Sequence, residues 1–215
     1  VGTLGYGLRK INPKRRAFNT GAPGNSVWRV WRSPLGIYFW RKLTEIYTYD
    51  PKAKIHDRVS FPTLGNAWKR DMVFDRDGTI WLLSTDKNTL KEALAAYDAK
   101  GNLKQQYPFD INASYYSLLK RTHDGNFWIT EAGPSLICFD TRSNQIRRFD
   151  FSHLFGEKAT QVQPLAFAQD GNGDFWIGTQ QGLVKCGMAS GSPRFQLIQT
   201  DPDNPQGLNH NTIAC

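Results

Sequence analysis

The sequence predicts an all-β protein, a β-propeller of four-stranded blades, and three observations carry that reading. A tryptophan-centred motif recurs roughly every 40 to 50 residues, short apolar runs stand at similar offsets around each copy, and the spacers are rich in Gly, Asp and Asn. Four-stranded sheets repeating at that period cannot bury both faces alone. Radial stacking hides the faces and leaves only short protected edges.

The motif is a Gly, a spacer, an apolar residue, a Trp and a further apolar residue. It reads Gly78-Thr79-Ile80-Trp81-Leu82, Gly125-Asn126-Phe127-Trp128-Ile129 and Gly173-Asp174-Phe175-Trp176-Ile177, with a fourth copy, Gly36-Ile37-Tyr38-Phe39-Trp40, that carries Phe at the anchor. The anchors Phe39, Trp81, Trp128 and Trp176 are spaced by 42, 47 and 48 residues. An anchor indole held between sheets removes roughly 150–250 Å² from water, worth a few kcal/mol. These four are the predicted structural anchors.

Further columns complete each unit. Apolar residues precede each Gly by six positions at Val30, Met72, Leu119 and Phe167. A column downstream of the anchor reads Ile46 to Asp50, Leu94 to Asp98, Leu136 to Asp140 and Leu183 to Gly187, with Leu8 to Asn12 as an earlier copy. Fourth strands are expected at Ala17-Phe18, Leu103 to Tyr107, Ile146 to Phe149 and Phe195 to Ile198. The repeats thus run over 1–18 (partial), 26–60, 67–108, 114–150, 162–199 and 208–215 (the start of another), within one propeller region spanning 1–215.

Turn chemistry agrees with this division. Asp75-Arg76-Asp77-Gly78, His123-Asp124-Gly125 and Asp170 to Asp174 supply the positive φ and side-chain caps that tight hairpins require. Helix is expected to be minor, the one candidate being a single turn within Thr89 to Ala96. About four and a half to five repeats are present and both ends cut through one, which points to a fragment of a larger ring. In the alternative, the first strands and the last join to complete a fifth blade.

Composition narrows the class. The 215 residues are 40% apolar and 13% aromatic, against disorder, and the longest apolar run falls far short of the roughly 20 residues of a membrane span. Cys138, Cys186 and Cys215 are too few for a disulfide scaffold or a paired zinc motif. Cys138 sits one residue out of the column that holds Cys186, so the two should face opposite sides and each fill a small buried apolar role. The sequence opens on Val1-Gly2-Thr3 with no Met and no charged-then-apolar leader, so any signal peptide is expected to have been removed or to lie upstream. With 27 basic and 19 acidic residues the net charge is +8, which attracts anions: nucleic acid, sulfated or uronate sugars, or acidic lipid on charge alone.

The repeat resembles the two-component regulator propeller family. The copy Asp170-Gly171-Asn172-Gly173-Asp174-Phe175-Trp176-Ile177-Gly178-Thr179-Gln180-Gln181-Gly182-Leu183 follows that pattern almost throughout, and Asp201 to Ile213 is similar to the family's inter-blade linker. Other copies depart from it: Phe39 replaces Trp, Leu82-Leu83-Ser84-Thr85 replaces Ile-Gly-Thr, and Thr130-Glu131 differs as well. The likeness covers nearly the whole chain, but its strongest motifs are structural. It implies a seven-bladed ring in the periplasmic sensor region of a hybrid two-component system, of the kind found in gut Bacteroidetes. Such a protein is anchored in the inner membrane and passes a glycan signal to a histidine kinase that this chain does not contain.

No catalytic constellation is found. His56, His123, His153 and His210 show no metal-ligand spacing and are expected at the surface or in turns, and the Asp-rich turns lack the remaining ligands of a calcium loop. No metal, no cofactor and no enzymatic activity are expected of the chain. The candidate ligand-binding residues are Trp28, Arg29, Trp31 and Arg32 on an innermost strand, with Arg70 and Arg121. Lys69-Arg70 and Lys120-Arg121 are read as occupying similar stretches of the next two repeats. Aromatic faces stack on sugar rings and guanidinium forks grip carboxylate or sulfate, so an oligosaccharide or acidic glycan fragment is the expected partner. Polar loops on one face would contribute: 19–26, 41–45, 60–67, 86–92, 110–114, 131–134, 153–163, 180–181 and 201–211. Neighbouring propeller and downstream sensor domains are the expected protein partners, with a homodimer in the full-length protein and no nucleic acid. The alternatives are a propeller enzyme of the streptogramin-lyase type, which needs a His, Glu and metal cluster at the channel, and a purely structural protein-interaction propeller.

Overall fold

The computed structural model describes residues 2–3, 7–12, 17–20, 27–34, 36–41, 45–50, 55–65, 67–112, 117–188, 193–204 and 207–214. Within them the chain is all-β, with nineteen strands and three short 3₁₀ segments. Two compact units divide it, Val1–Phe109 and Asp110–Cys215.

The first unit opens with a three-stranded sheet of β1 (Gly2–Thr3), β2 (Gly7–Asn12) and β3 (Ala17–Thr20). Two four-stranded sheets follow: β4 (Val27–Ser33), β5 (Gly36–Arg41), β6 (Glu45–Asp50) and β7 (Ile55–Val59), then β8 (Trp68–Phe74), β9 (Ile80–Thr85), β10 (Glu92–Tyr97) and β11 (Leu103–Phe109). The second unit holds β12 (Leu119–Arg121), β13 (Phe127–Thr130), β14 (Ser135–Asp140) and β15 (Gln145–Asp150), then β16 (Pro164–Gln169), β17 (Phe175–Thr179), β18 (Gly182–Gly187) and β19 (Arg194–Ile198). Every sheet is an antiparallel meander in chain order, the topology of a propeller blade.

The recurring motif is one mechanical unit. In the first hairpin of the β8–β11 blade the Gly78 amide donates to the Asp75 carbonyl (3.1 Å) and the Asp75 amide to the Thr79 carbonyl (2.9 Å). The same pair of bonds recurs at Gly125 with Thr122 and Asn126, and at Gly173 with Asp170 and Asp174. Gly78, Gly125 and Gly173 have φ of 83°, 90° and 89°, the left-handed region that a side chain disfavours. Six residues after the first turn residue stands the anchor, and Trp81 Nε1 donates to Asp75 Oδ2 (2.9 Å) as Trp176 Nε1 does to Asp170 Oδ2 (2.9 Å). The Asp therefore ties the turn to the anchor. Trp81 and Trp128 are buried and stack on Tyr107 and Phe149 of their own outermost strands, whereas Trp176 is half-buried beneath Lys185. Phe39 lies on β5, with its side chain outside the described residues.

Strand alternation sends opposite faces of neighbouring blades into shared cores. In the first unit Tyr38 and Ile46 meet Met72, Ile80, Leu82, Ala95 and Tyr97, with Phe61 above them. In the second, Trp128, Leu136 and Cys138 meet Phe167, Phe175, Ile177, Val184 and Cys186, closed by Phe151, Phe155 and Val162. The same alternation explains Val30, which shares the Met72 column yet is 42% exposed: Trp31, its neighbour, faces the core instead. It also places the two thiols. Because opposite faces of adjacent blades meet, the opposite parity of Cys138 and Cys186 brings both into one core, where both are buried and free. Burial pushes the Cys138 thiol up and the Cys186 thiol up to about 12.

The helical turn expected within Thr89–Ala96 is absent. Glu92–Tyr97 is the third strand of its blade, paired on both sides and buried along its whole length, so the alanines serve inter-blade packing rather than helix propensity. The 3₁₀ segments stand in linkers instead, at Pro62–Leu64, Ser152–Leu154 and Gly156–Gln161.

Candidate ligand-binding surfaces

The innermost strands of the first unit hold most of the sequence-predicted site residues. Arg29 Nη1 lies 2.9 Å from Asp71 Oδ2, and Trp31 Nε1 donates to Asp71 Oδ1 (3.2 Å), so both β4 side chains converge on one carboxylate of β8. Asp71 is buried and also accepts the Met72 amide (2.9 Å). Arg32 is exposed on the same strand, and the Trp28 side chain lies outside the described residues. Arg29 and Trp31 therefore lace two blades together, with the Arg29 side chain still 23% exposed.

Arg70 occupies a bulge: the β8–β9 register shifts between Lys69 and Asp71. Bulges re-aim side chains. Here the guanidinium is buried, donating from Nε to Thr85 Oγ1 (2.8 Å) and lying 5.3 Å from the Trp68 ring centroid. Lys69 beside it is 5% exposed, and burial, with Arg58 and Lys87 as like charges, lowers its pKa to about 8. Arg121 sits at the other end of its strand. Met72 pairs with Leu82 and Leu119 with Ile129, so Lys69-Arg70 precede the shared column while Lys120-Arg121 follow it. The two basic pairs thus stand at opposite ends of innermost strands rather than in similar stretches, a correction that strand register alone supplies. Arg121 packs over the Phe127 ring, and burial lowers its pKa.

In the second unit, two linker devices escaped sequence reasoning. Glu131, one residue beyond β13, is 2% exposed and accepts four donors: Arg148 Nε (2.6 Å), Arg148 Nη2 (3.1 Å), Ser135 Oγ (2.8 Å) and the Asn112 amide (2.8 Å). Gln180, one residue beyond β17, accepts the Gln163 amide at Oε1 (2.9 Å). Both follow a buried Thr, Thr130 and Thr179, and each captures the linker that enters its own innermost strand. The pattern Thr-Glu/Gln was visible in the sequence; its partners, 17 to 19 residues away, were not.

Of the predicted loops, residues 21–26, 42–44, 66, 113–114 and 205–206 lie outside the described residues. Among those described, Leu154, Phe155, Glu157, Lys158, Gln181, Leu197 and Gln199 line a cleft of about 350 Å³ between the 152–161 linker, the Gln180-Gln181 turn and the end of β19. The Asp-rich turns are occupied by local bonds. Asp170 accepts the amides of Asn172 (2.9 Å) and Asp174 (3.0 Å) as well as the Trp176 indole, and Asp77 accepts Thr79 (2.9 Å). No group of three or more His, Cys, Asp or Glu stands together among the described residues. No described helix is long and apolar enough to cross a membrane.

No protein family and no curated protein is matched by the sequence. Solved structures do match. Two structures of the extracellular domain of BT4673 from Bacteroides thetaiotaomicron, described as a one-component and as a hybrid two-component system, align with TM-scores of 0.69 and 0.65 at 20% and 18% identity. They cover 99% and 96% of this chain, and the chain spans 27% of each of them. The gluconolactonase XC5397 from Xanthomonas campestris aligns with a TM-score of 0.56 at 12% identity, covering 80% of this chain and 61% of that one. At such identities the likeness lies in the fold, and the fold shared is the bladed one that the tryptophan repeat predicts.

Proposed function

We propose that this chain is part of an extracytoplasmic sensor propeller of a hybrid two-component system, periplasmic in an inner-membrane-anchored protein, which senses a glycan-derived ligand and signals to a histidine kinase. The observation that carries the reading is the match of nearly the whole chain to the extracellular domain of BT4673. The polar linkers and turns gathered on one end of the second unit's blades supply a surface where ligand contact is chemically sensible. Signalling would follow a population shift: a ligand that binds one domain arrangement better than another favours it by the difference in affinity.

Calorimetric titration of the intact extracytoplasmic protein against neutral and acidic oligosaccharides tests this. Saturable binding of one class supports the reading, and no binding across the panel overturns it. The gluconolactonase likeness supports a second reading, a propeller enzyme. Lactone hydrolysis by the intact protein would favour it over a sensor.

A further inference from the structure

The linker cleft of the second unit has a defined chemistry. Its wall is pinned from below: Phe151 and Phe155 are buried in the core, the Phe151 amide donates to the Pro134 carbonyl (2.9 Å), and Asp150 accepts the Ser152 amide (3.0 Å). Across from it, Gln180-Gln181 form a two-residue hairpin turn closed by the Thr179–Gly182 pair, and the Gln181 amide donates to Thr179 Oγ1 (3.0 Å). Both sides are therefore held by the fold.

The cleft's amides are oriented by bonds to the protein. Gln181 Nε2 donates to the Lys158 carbonyl (3.3 Å), and Gln199 Nε2 donates to the Gln181 carbonyl (2.8 Å). Each bond fixes an amide plane. Neither Oε1 accepts a hydrogen bond among the described residues, so the two glutamines bring acceptors to the cleft. Leu154, Leu197 and the edge of Phe155 supply an apolar surface, while Glu157 and Lys158 are exposed and opposite in charge.

We infer that this cleft is a binding site for one neutral sugar unit, with ligand hydroxyls donating to Gln181 Oε1 and Gln199 Oε1 and a C–H face of the ring on Leu154, Phe155 and Leu197. A volume of about 350 Å³ sits at the lower end of small-molecule clefts, which span roughly 300–1,000 Å³. Two preset acceptors suit a ligand rich in hydroxyl donors, and the apolar patch suits one that also carries C–H surface. The opposite charges of Glu157 and Lys158 sum to zero, which gives no net attraction for a carboxylate or sulfate. The inference rests on the sensor reading for its biological sense and deepens it by assigning a site and a neutral ligand class.

The test is nuclear magnetic resonance of the ¹⁵N-labelled full chain, titrated with neutral hexoses and disaccharides and separately with glucuronate. The expected result is that a neutral sugar moves the side-chain amide signals of Gln181 and Gln199 saturably, and that Gln199→Ala and Gln181→Ala each weaken binding about tenfold, as for a lost hydrogen bond. Gln199 is exposed, so its variant keeps the fold. A sugar that binds while both amide signals stay still overturns the cleft and leaves the sensor reading standing. Glucuronate moving those signals at lower concentration than any neutral sugar overturns the neutral class. No movement with any sugar overturns the site. Neutral hexoses that move the signals while the intact protein binds no oligosaccharide in calorimetry keep the site and overturn the sensor reading.

Discussion

Glu131 shows how one side chain sets a local geometry. Burial alone would push its carboxyl up, but Arg148, the Asn112 amide and Ser135 outweigh that and hold it below the usual glutamate range. A carboxylate with lowered pKa contributes stability that is present above the ordinary glutamate range and lost as pH falls through the lowered value. Glu131→Gln keeps an acceptor for Asn112 and removes the charge. Because Arg148 is 49% exposed and stays hydrated, the expected cost is about 1–2 kcal/mol at pH 7, shrinking towards pH 3, in urea unfolding at the two pH values. The anchor indoles behave differently, since their worth is mostly area. Trp81→Phe keeps the stack on Tyr107 and loses the bond to Asp75, an expected cost of about 1 kcal/mol. Trp81→Ala leaves a cavity in a residue that is 7% exposed and should cost about 3–5 kcal/mol by the same measurement.

At the scale of elements, a glycine's worth depends on what stands beside it. Gly101, in the turn between β10 and β11, has φ of 85°, and a Cβ there would lie 1.8 Å from the Ser60 carbonyl oxygen. Backbone cannot step aside as a side chain can. Gly133 has φ of 102° and nothing within 4 Å of its would-be Cβ. Gly133→Ala should therefore cost only its backbone strain, about 1 kcal/mol, and Gly101→Ala distinctly more, with circular dichroism melts separating the two. This contrast also marks what the sequence makes legible. In the Gly78 and Gly173 hairpins the Asp, Gly and Trp act within six residues, so strand order and anchors could be read from spacing. Asp71 acts across blades on Arg29 and Trp31, about 40 residues earlier, and the bulge that buries Arg70 is a matter of register; neither leaves a local signature. The cleft likewise needs a linker, a hairpin turn and a strand end brought together by folding, although the loops that form it were identifiable as polar connections.

For the molecule as a whole, titration acts in one direction at the acid end of the pH scale and in two at the alkaline end. Hydrogen bonds from turn amides and side chains lower Asp77, Asp86, Asp98, Asp140 and Asp170, so their stabilisation is present above the ordinary aspartate range and lost in acid. In alkali the buried thiols and Lys69 oppose each other. Cys138 and Cys186 are raised, so the folded chain holds protons that the unfolded chain releases, and stability falls as pH climbs through the ordinary thiol range. Lys69 is lowered from 10.5 to about 8, so between those values the folded chain binds fewer protons than the unfolded one and stability rises with pH. Lys69→Met removes that rise and leaves the thiols as they were. The stability difference between Lys69→Met and the parent should therefore move in the parent's favour as pH goes from about 7 to 10.5, by a few kcal/mol at most. Urea unfolding of both proteins across that range measures it. A difference that stays level would mean that Lys69 keeps its ordinary affinity for a proton in the fold, and that Arg58, Lys87 and burial impose no electrostatic cost on the basic end of the β8–β11 blade.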